Sequence, residues 1–113
     1  MTLRKLTIFA VLATVMLFAL PLSAQPRTIW VATNGTDAVG ANFGTEANPF
    51  RTIQYAVNYS YQFTGEDTVM VKPGTYLEHI FITSGPVLLK GQGGSAVTTI
   101  DGSLTGNCIE TYY

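Results

Sequence analysis

Several acidic side chains could bind a metal ion, because carboxylate oxygens are the ligands that Ca2+ prefers. Asp37, Glu46, Glu66 and Asp67 are the candidates in the first two thirds of the chain. Their spacing does not repeat the D-x-[DN]-x-[DN]-G pattern of a calcium loop. Positions on the surface or in turns are therefore the favoured interpretation, and Ca2+ is kept only as a candidate cofactor of a longer protein.

Paired carboxylates could also hydrolyse a glycosidic bond, since glycosidases place two acids across it. Asp101 is one candidate, but the sequence shows no partner for it, and Asp101-Gly102 is an ordinary turn after a strand. Glu78 and His79 are adjacent, so on a strand they point to opposite faces and cannot act as a pair on one substrate. No catalytic residue, cofactor-binding residue or metal ligand is assigned from the sequence.

Basic side chains could neutralise a uronic acid or stabilise a carbanion. Arg51, Lys72 and Lys90 are the candidates, and they are scattered through the sequence. The glycines of Gly91–Gly94 do not continue into the G-x-x-x-x-G-K-[ST] pattern of a phosphate-binding loop. This stretch is interpreted as a turn, and the three basic residues as surface positions.

Aromatic side chains are the most suggestive group, because tyrosine and tryptophan rings on a polar surface can stack on sugars. The alternative, which we favour, is that several of them pack a helix against the first strands, since aromatic residues supply much of a small core. The rings in question are those of Trp30, Phe43, Phe50, Tyr55, Tyr59, Tyr61, Phe63 and Tyr76.

The first 24 residues are predicted to be a signal peptide. Arg4 and Lys5 form a positive n-region, an apolar run follows from Leu6 to Leu22, and Ser23-Ala24 offers a cleavage site. The alternative is a membrane anchor, but the run is shorter than the roughly 20 apolar residues that a spanning helix needs. Cleavage after Ala24 predicts a secreted or cell-surface protein with no transmembrane segment.

The remaining 89 residues of the 113 are predicted to form one domain. They contain four basic and seven acidic residues, a net charge of −3, which makes nucleic acid an unfavourable partner. Cys108 is the only cysteine, so no internal disulfide can form, and it is interpreted as a small apolar strand residue.

A strand and a helix are predicted before Gly65. Thr28–Thr33 has β-branched and aromatic residues and ends at Asn34-Gly35, which favours a strand followed by a long polar loop. A helix is predicted from Thr52 to Phe63, with Thr52 as the N-cap residue and Asn48-Pro49 as a weaker alternative start. Its buried face would consist of Ile53, Ala56, Val57, Ser60 and Tyr61, while Gln54, Asn58 and Gln62 can face water.

Short strands are predicted after Gly65, with "KPGT" as a type II turn around Pro73 and Gly74. The strands are centred on Val69–Val71, Ile80–Ile82, Val87–Leu89, Thr98–Ile100 and Cys108-Ile109. Strands two apart recur at intervals of 18 residues from Val69 to Val87, 18 from Phe81 to Thr99, and 21 from Leu88 to Ile109. A near-constant interval, with continuous apolar triplets, is typical of parallel strands in a solenoid.

The order of these motifs resembles the start of right-handed parallel β-helix proteins of the pectate-lyase-like superfamily. The resemblance covers Thr28–Gly102, and it implies an all-β fold, a β-helix (solenoid) with a short N-terminal capping α-helix. The residues that carry it are Asn48-Pro49-Phe50-Arg51-Thr52-Ile53, Asp67-Thr68-Val69, Lys72-Pro73-Gly74-Thr75-Tyr76, Leu88-Leu89-Lys90-Gly91 and Ile100-Asp101-Gly102.

This resemblance implies an exported protein associated with carbohydrate binding or processing, with a polysaccharide or cell-surface glycan as partner. One alternative is a polysaccharide lyase or glycoside hydrolase whose catalytic coils lie downstream; another is a non-catalytic adhesin or structural stalk. Because a solenoid needs about three or more repeats, residues 25–113 are expected to be the cap and first coils of a longer β-helix.

Overall fold

The computed structural model describes residues 25–103 and 106–112, so the predicted signal peptide (residues 1–24) lies outside the described residues. Seven short strands and one helix form within these ranges. In chain order they are β1 (Thr28–Val31), α1 (Ile53–Ser60), β2 (Asp67–Val71), β3 (Gly74–Leu77), β4 (Ile80–Ile82), β5 (Val87–Gly91), β6 (Thr98–Asp101) and β7 (Ile109–Thr111).

The strands form three separate small sheets. One has three strands in the order β1-β2-β5, and the other two are the pairs β3-β6 and β4-β7. Every pairing is parallel, as the continuous apolar triplets predicted. The registers join Thr28 to Thr68, Val69 to Leu89, Gly74 to Thr98, and Ile80 to Ile109.

The predicted fold class, an all-β right-handed parallel β-helix with a capping helix, is wrong. The paired residues are 40, 20, 24 and 29 positions apart, rather than at one near-constant interval. In residues 25–103 and 106–112 the strands make sheets of only two or three members, and no regular solenoid repeat is present. The domain keeps an all-β character, with short parallel strands and a single helix.

The error arises from the short strand β3, which the sequence analysis took for a type II turn. Gly74 begins this strand, with φ at +152°, and its N–H donates to the carbonyl of Val97 (3.0 Å). Of the three expected pairings, that between the strands at Val69 and Val87 is correct, two residues out of register. The other two are wrong, because β3 takes β6 as its partner and leaves β4 to pair with β7.

Helix α1 packs its apolar face against β1, β2 and β4. Ile53, Ala56, Val57 and Ser60 are buried as predicted, while Tyr61 is half-buried. Burying an apolar face is the main source of stability for so short a helix. The core that forms around it contains Ile29, Val31, Phe50, Ile53, Ala56, Val57, Val69, Val71, Tyr76, Ile80 and Ile82.

Candidate functional site

The start of helix α1 is held by carboxylates and by its N-cap. Thr52 is the N-cap residue, as predicted, and its hydroxyl accepts from the N–H of Tyr55 (3.3 Å). Asp37 accepts from the N–H groups of Arg51 (2.8 Å) and Thr52 (3.1 Å), and from the Thr52 hydroxyl (2.7 Å).

Glu78, which follows strand β3, binds the same end of the helix. Its two carboxylate oxygens accept from the N–H groups of Ile53 (2.9 Å) and Gln54 (3.0 Å). The first N–H groups of a helix have no partner within the helix and carry its positive dipole end, so a carboxylate is stabilising there. Glu78 and Asp37 are therefore structural caps of helix α1.

Gln54 connects helix α1 to the backbone of strand β4. Its Oε1 accepts from the N–H of Phe81 (2.7 Å), and its Nε2 donates to the carbonyl of the same residue (3.1 Å). Nε2 also donates to Oδ1 of Asn58 (2.9 Å). Gln54 thus lies partly exposed on the polar side of the helix, where it could face water as expected, and its amide also binds β4 and Asn58.

A concavity with a volume of about 200 Å³ lies on the outer side of helix α1. We call it the tyrosine–amide site, and none of its lining side chains is charged. Four of the residues follow helical spacing and so share one face. The site is lined by Val39, Tyr55, Asn58, Tyr59 and Gln62.

The two tyrosine rings of this site are supported from behind. The centroid of the buried Phe50 ring lies 4.8 Å from that of Tyr55 and 5.1 Å from that of Tyr59. Tyr59 in turn contacts Phe63 (5.1 Å between centroids), and the guanidinium of Arg27 lies 3.7 Å above the Phe63 ring. The expectation that aromatic rings pack the helix onto the core is confirmed for these residues, yet Tyr55 and Tyr59 also line the surface.

The acidic residues singled out in the sequence do not converge. No group of three or more His, Cys, Asp or Glu side chains that could hold a metal ion occurs among residues 25–103 and 106–112. Glu46 and Glu66 are exposed, and Asp101 accepts from the N–H of Ser103 (2.8 Å) within a turn. The expected surface or turn position is wrong for Asp67, which is buried at the start of β2. Its Oδ1 accepts from the N–H of Arg27 (3.0 Å), and its Oδ2 has no partner in the part of the chain that is described.

Lys72 directly follows β2 and Lys90 lies in the neighbouring strand β5, whereas Arg51 lies beside strand β3. Nζ of Lys72 donates to the carbonyl of Glu46 (2.9 Å) and lies 5.5 Å from the centroid of Trp30. Nδ1 of His79 lies 3.0 Å from the carbonyl oxygen of Asn107, and Lys90 is exposed on β5. These residues are therefore interpreted as parts of the surface and its turns.

Arg51 lies in a second cleft, of about 270 Å³, beside strand β3. Glu78 and Tyr76 line the same cleft. Burial, and to a lesser extent the nearby Glu78 carboxylate, raise the pKa of Tyr76, whose hydroxyl donates to the carbonyl of Lys72 (2.7 Å). The cleft thus contains side chains already engaged in structure, which makes it the weaker candidate for ligand binding.

Comparisons with protein-family models, with curated proteins and with solved structures gave no match. The function must therefore be inferred from the chain itself. Within residues 25–103 and 106–112, no helix has the length and apolarity needed to cross a membrane.

The tyrosines of the site were among the candidates from the sequence, whereas its two amides and Val39 were not. Asn58 and Gln62 were assigned only to the polar side of the helix. The four-residue spacing of Gln54 and Asn58 was an available signal, because amide side chains at i and i+4 can hydrogen-bond on a helix.

Proposed function

We propose that this protein is exported and binds neutral carbohydrate through the tyrosine–amide site. The single observation that carries the proposal is the placement of the Tyr55 and Tyr59 rings beside the Asn58 and Gln62 amides in an uncharged concavity. Aromatic rings offer an apolar face to the C–H groups of a sugar, and amides offer donors and acceptors for its hydroxyls. None of the lining side chains is an acid or a base, which favours binding over bond cleavage at this site.

Binding is tested by screening the exported protein against immobilised neutral oligosaccharides and measuring affinities by calorimetry. Tyr55→Leu and Tyr59→Leu keep an apolar side chain over Phe50 but remove the ring face. Each is expected to weaken binding by about tenfold, the equivalent of one good ring contact. Tyr112→Leu is the matched control, since Tyr112 is an exposed tyrosine that does not line the site. Unchanged affinity in both site variants, or no binding to any neutral glycan, would contradict the proposal.

Export is supported by Arg4 and Lys5, by the apolar run after them, and by the small residues that end at Ala24. Mass spectrometry of protein recovered outside the cytoplasm is expected to find Gln25, or a close neighbour, as the first residue. Recovery of the chain with its full N-terminus in a membrane fraction would argue against export with cleavage.

A further inference from the structure

The amide of Asn58 is held in one orientation by a relay that begins at the backbone of strand β4. The N–H of Phe81 requires an acceptor and its carbonyl requires a donor, so the Gln54 amide can satisfy both in only one way. The second proton of Gln54 Nε2 then points to Asn58, where Oδ1 accepts it. A reversed Asn58 amide would set two N–H groups against each other.

The consequence is that Asn58 presents donors to the tyrosine–amide site. Its Oδ1 accepts from Gln54, so its Nδ2 group lies on the other side of the amide, and no hydrogen bond from Nδ2 occurs among residues 25–103 and 106–112. The exposed Asn58 side chain therefore offers two N–H donors on a face that the helix keeps rigid. A ligand group suited to this position is one that accepts hydrogen bonds, such as a carbonyl oxygen.

A second feature of the site is the apolar side chain of Val39. It is 91 % exposed, the highest value among the exposed large apolar side chains of the domain, and it lines the site beside the tyrosines. A ligand group that covered this side chain would remove its apolar surface from water. The site therefore combines oriented donors with an apolar contact, in a volume of about 200 Å³ that is small by the standards of ligand pockets.

We propose that the tyrosine–amide site recognises the N-acetyl group of an amino sugar; the inference rests on the proposed carbohydrate binding and specifies its ligand. The acetamido carbonyl accepts from Asn58 Nδ2, and the methyl group contacts Val39. A hydroxyl at the same position can also accept from Nδ2, but it carries no methyl group to contact Val39. The site thus prefers an acetamido group over a hydroxyl.

The preference is tested with two trisaccharides that differ at one position of each sugar. One is the β-1,4-linked trimer of N-acetylglucosamine, and the other is the β-1,4-linked trimer of glucose, which has a hydroxyl in place of each acetamido group. Calorimetric titration of the exported protein is expected to give at least tenfold tighter binding of the acetylated trimer. In saturation-transfer NMR, the acetyl methyl protons are expected to show the strongest effect.

Two variants test the two parts of the proposed contact, the hydrogen bond from Asn58 and the apolar contact with Val39. Asn58→Asp keeps an oxygen acceptor for Gln54 but removes both donors, so it should abolish the preference for the acetylated trimer. Val39→Ser should weaken the acetylated trimer alone and leave the glucose trimer unchanged. Both residues are exposed, and thermal melts confirm that each variant is folded.

The outcomes separate this inference from the proposed function. Equal binding of both trimers, or an acetyl preference that survives Asn58→Asp, overturns the inference while carbohydrate binding stands. If neither trimer nor any other neutral glycan binds to the protein, the proposed function is overturned as well.

Discussion

At the scale of single residues, Gln54 makes the most specific contact of helix α1. Its amide satisfies both backbone groups of Phe81, as the edge of a neighbouring strand would. Gln54→Ala is expected to lower the free energy of unfolding by about 1 kcal/mol, because it removes these hydrogen bonds from a partly exposed place. Urea denaturation followed by circular dichroism measures the loss. Gln62→Ala is the matched control, being an exposed glutamine after the same helix, and equal losses in both would contradict the role of Gln54.

Tyr76 makes the stability of the folded domain depend on pH in the alkaline range. Burial, with a smaller contribution from Glu78, raises its pKa in the folded state above the usual value of 10.0. The unfolded chain therefore releases this proton first, so stability is complete below about pH 10 and falls as the pH rises through the folded-state pKa. Ionisation also removes the hydrogen bond from the hydroxyl to Lys72.

The measurement for Tyr76 is the melting temperature between about pH 8 and pH 11. Wild-type protein is expected to lose stability in the upper part of this range, and Tyr76→Phe to lose less. Tyr55→Phe, which removes the hydroxyl of a tyrosine in the tyrosine–amide site, should follow the wild type. A Tyr76→Phe curve parallel to that of the wild type would show that another group governs the alkaline loss.

Sequence reasoning at this scale succeeded where the partner is close along the chain. Thr52 was predicted as an N-cap because its hydroxyl reaches an N–H three residues later. Asp37 and Glu78 bind the same helix end from 15 and 25 residues away, and only the tertiary fold brings them there. Their carboxylates were therefore weighed for chemistry although their role is structural.

At the scale of elements, strand β3 depends on glycine at its first position. Gly74 has φ at +152°, and a Cβ atom there would lie 2.7 Å from Cγ2 of Thr33. Gly74→Ala is expected to destabilise the domain by roughly 1–3 kcal/mol, from backbone strain together with the clash. Gly91→Ala is the control, because Gly91 is also a strand glycine but would make only ordinary contacts with Thr98, at 3.5 Å and beyond.

Urea denaturation compares the two glycine variants. A large loss for Gly74→Ala beside a small one for Gly91→Ala is the expected result. The reverse order would mean that Thr33 moves aside and that β3 does not need a glycine.

Strand β3 also explains why the helix and most of the strands could be predicted from the sequence while the pairing of the strands could not. Helical periodicity identified the buried face of α1, because four of its five predicted residues are buried by the domain. Six of the seven strands were also recognised as apolar or β-branched stretches. The Pro73-Gly74 pair hid β3, since this dipeptide is typical of a turn. Losing one strand shifted the expected partners of the later ones, which is why a regular solenoid was inferred.

At the scale of the whole molecule, the strand edge beside helix α1 differs from the edges of β5, β6 and β7. Beside helix α1, side chains satisfy backbone groups of the chain around β4: Gln54 binds Phe81, and the Tyr61 hydroxyl accepts from the N–H of Thr83 (3.0 Å). Strands β5, β6 and β7 each have a partner on one edge only among residues 25–103 and 106–112. A concavity of about 450 Å³, lined in part by Leu89, Ile100 and Ile109, lies between these three strands.

This arrangement predicts self-association of the domain. Unpaired strand edges beside apolar side chains are templates for pairing with other chains, and Ile109 in β7 is 41 % exposed. The protein without residues 1–24 is expected to show an apparent mass that rises with concentration in size-exclusion chromatography with light scattering. Ile109→Lys should reduce this rise, because a charged side chain at an edge opposes pairing.

Val39→Lys makes the same apolar-to-charged change beside helix α1 and should leave the association as in the wild type. If both variants reduce it equally, the charge of the protein rather than the open strand edges controls association, and a wild-type protein that stays monomeric at every concentration would show that these edges are protected.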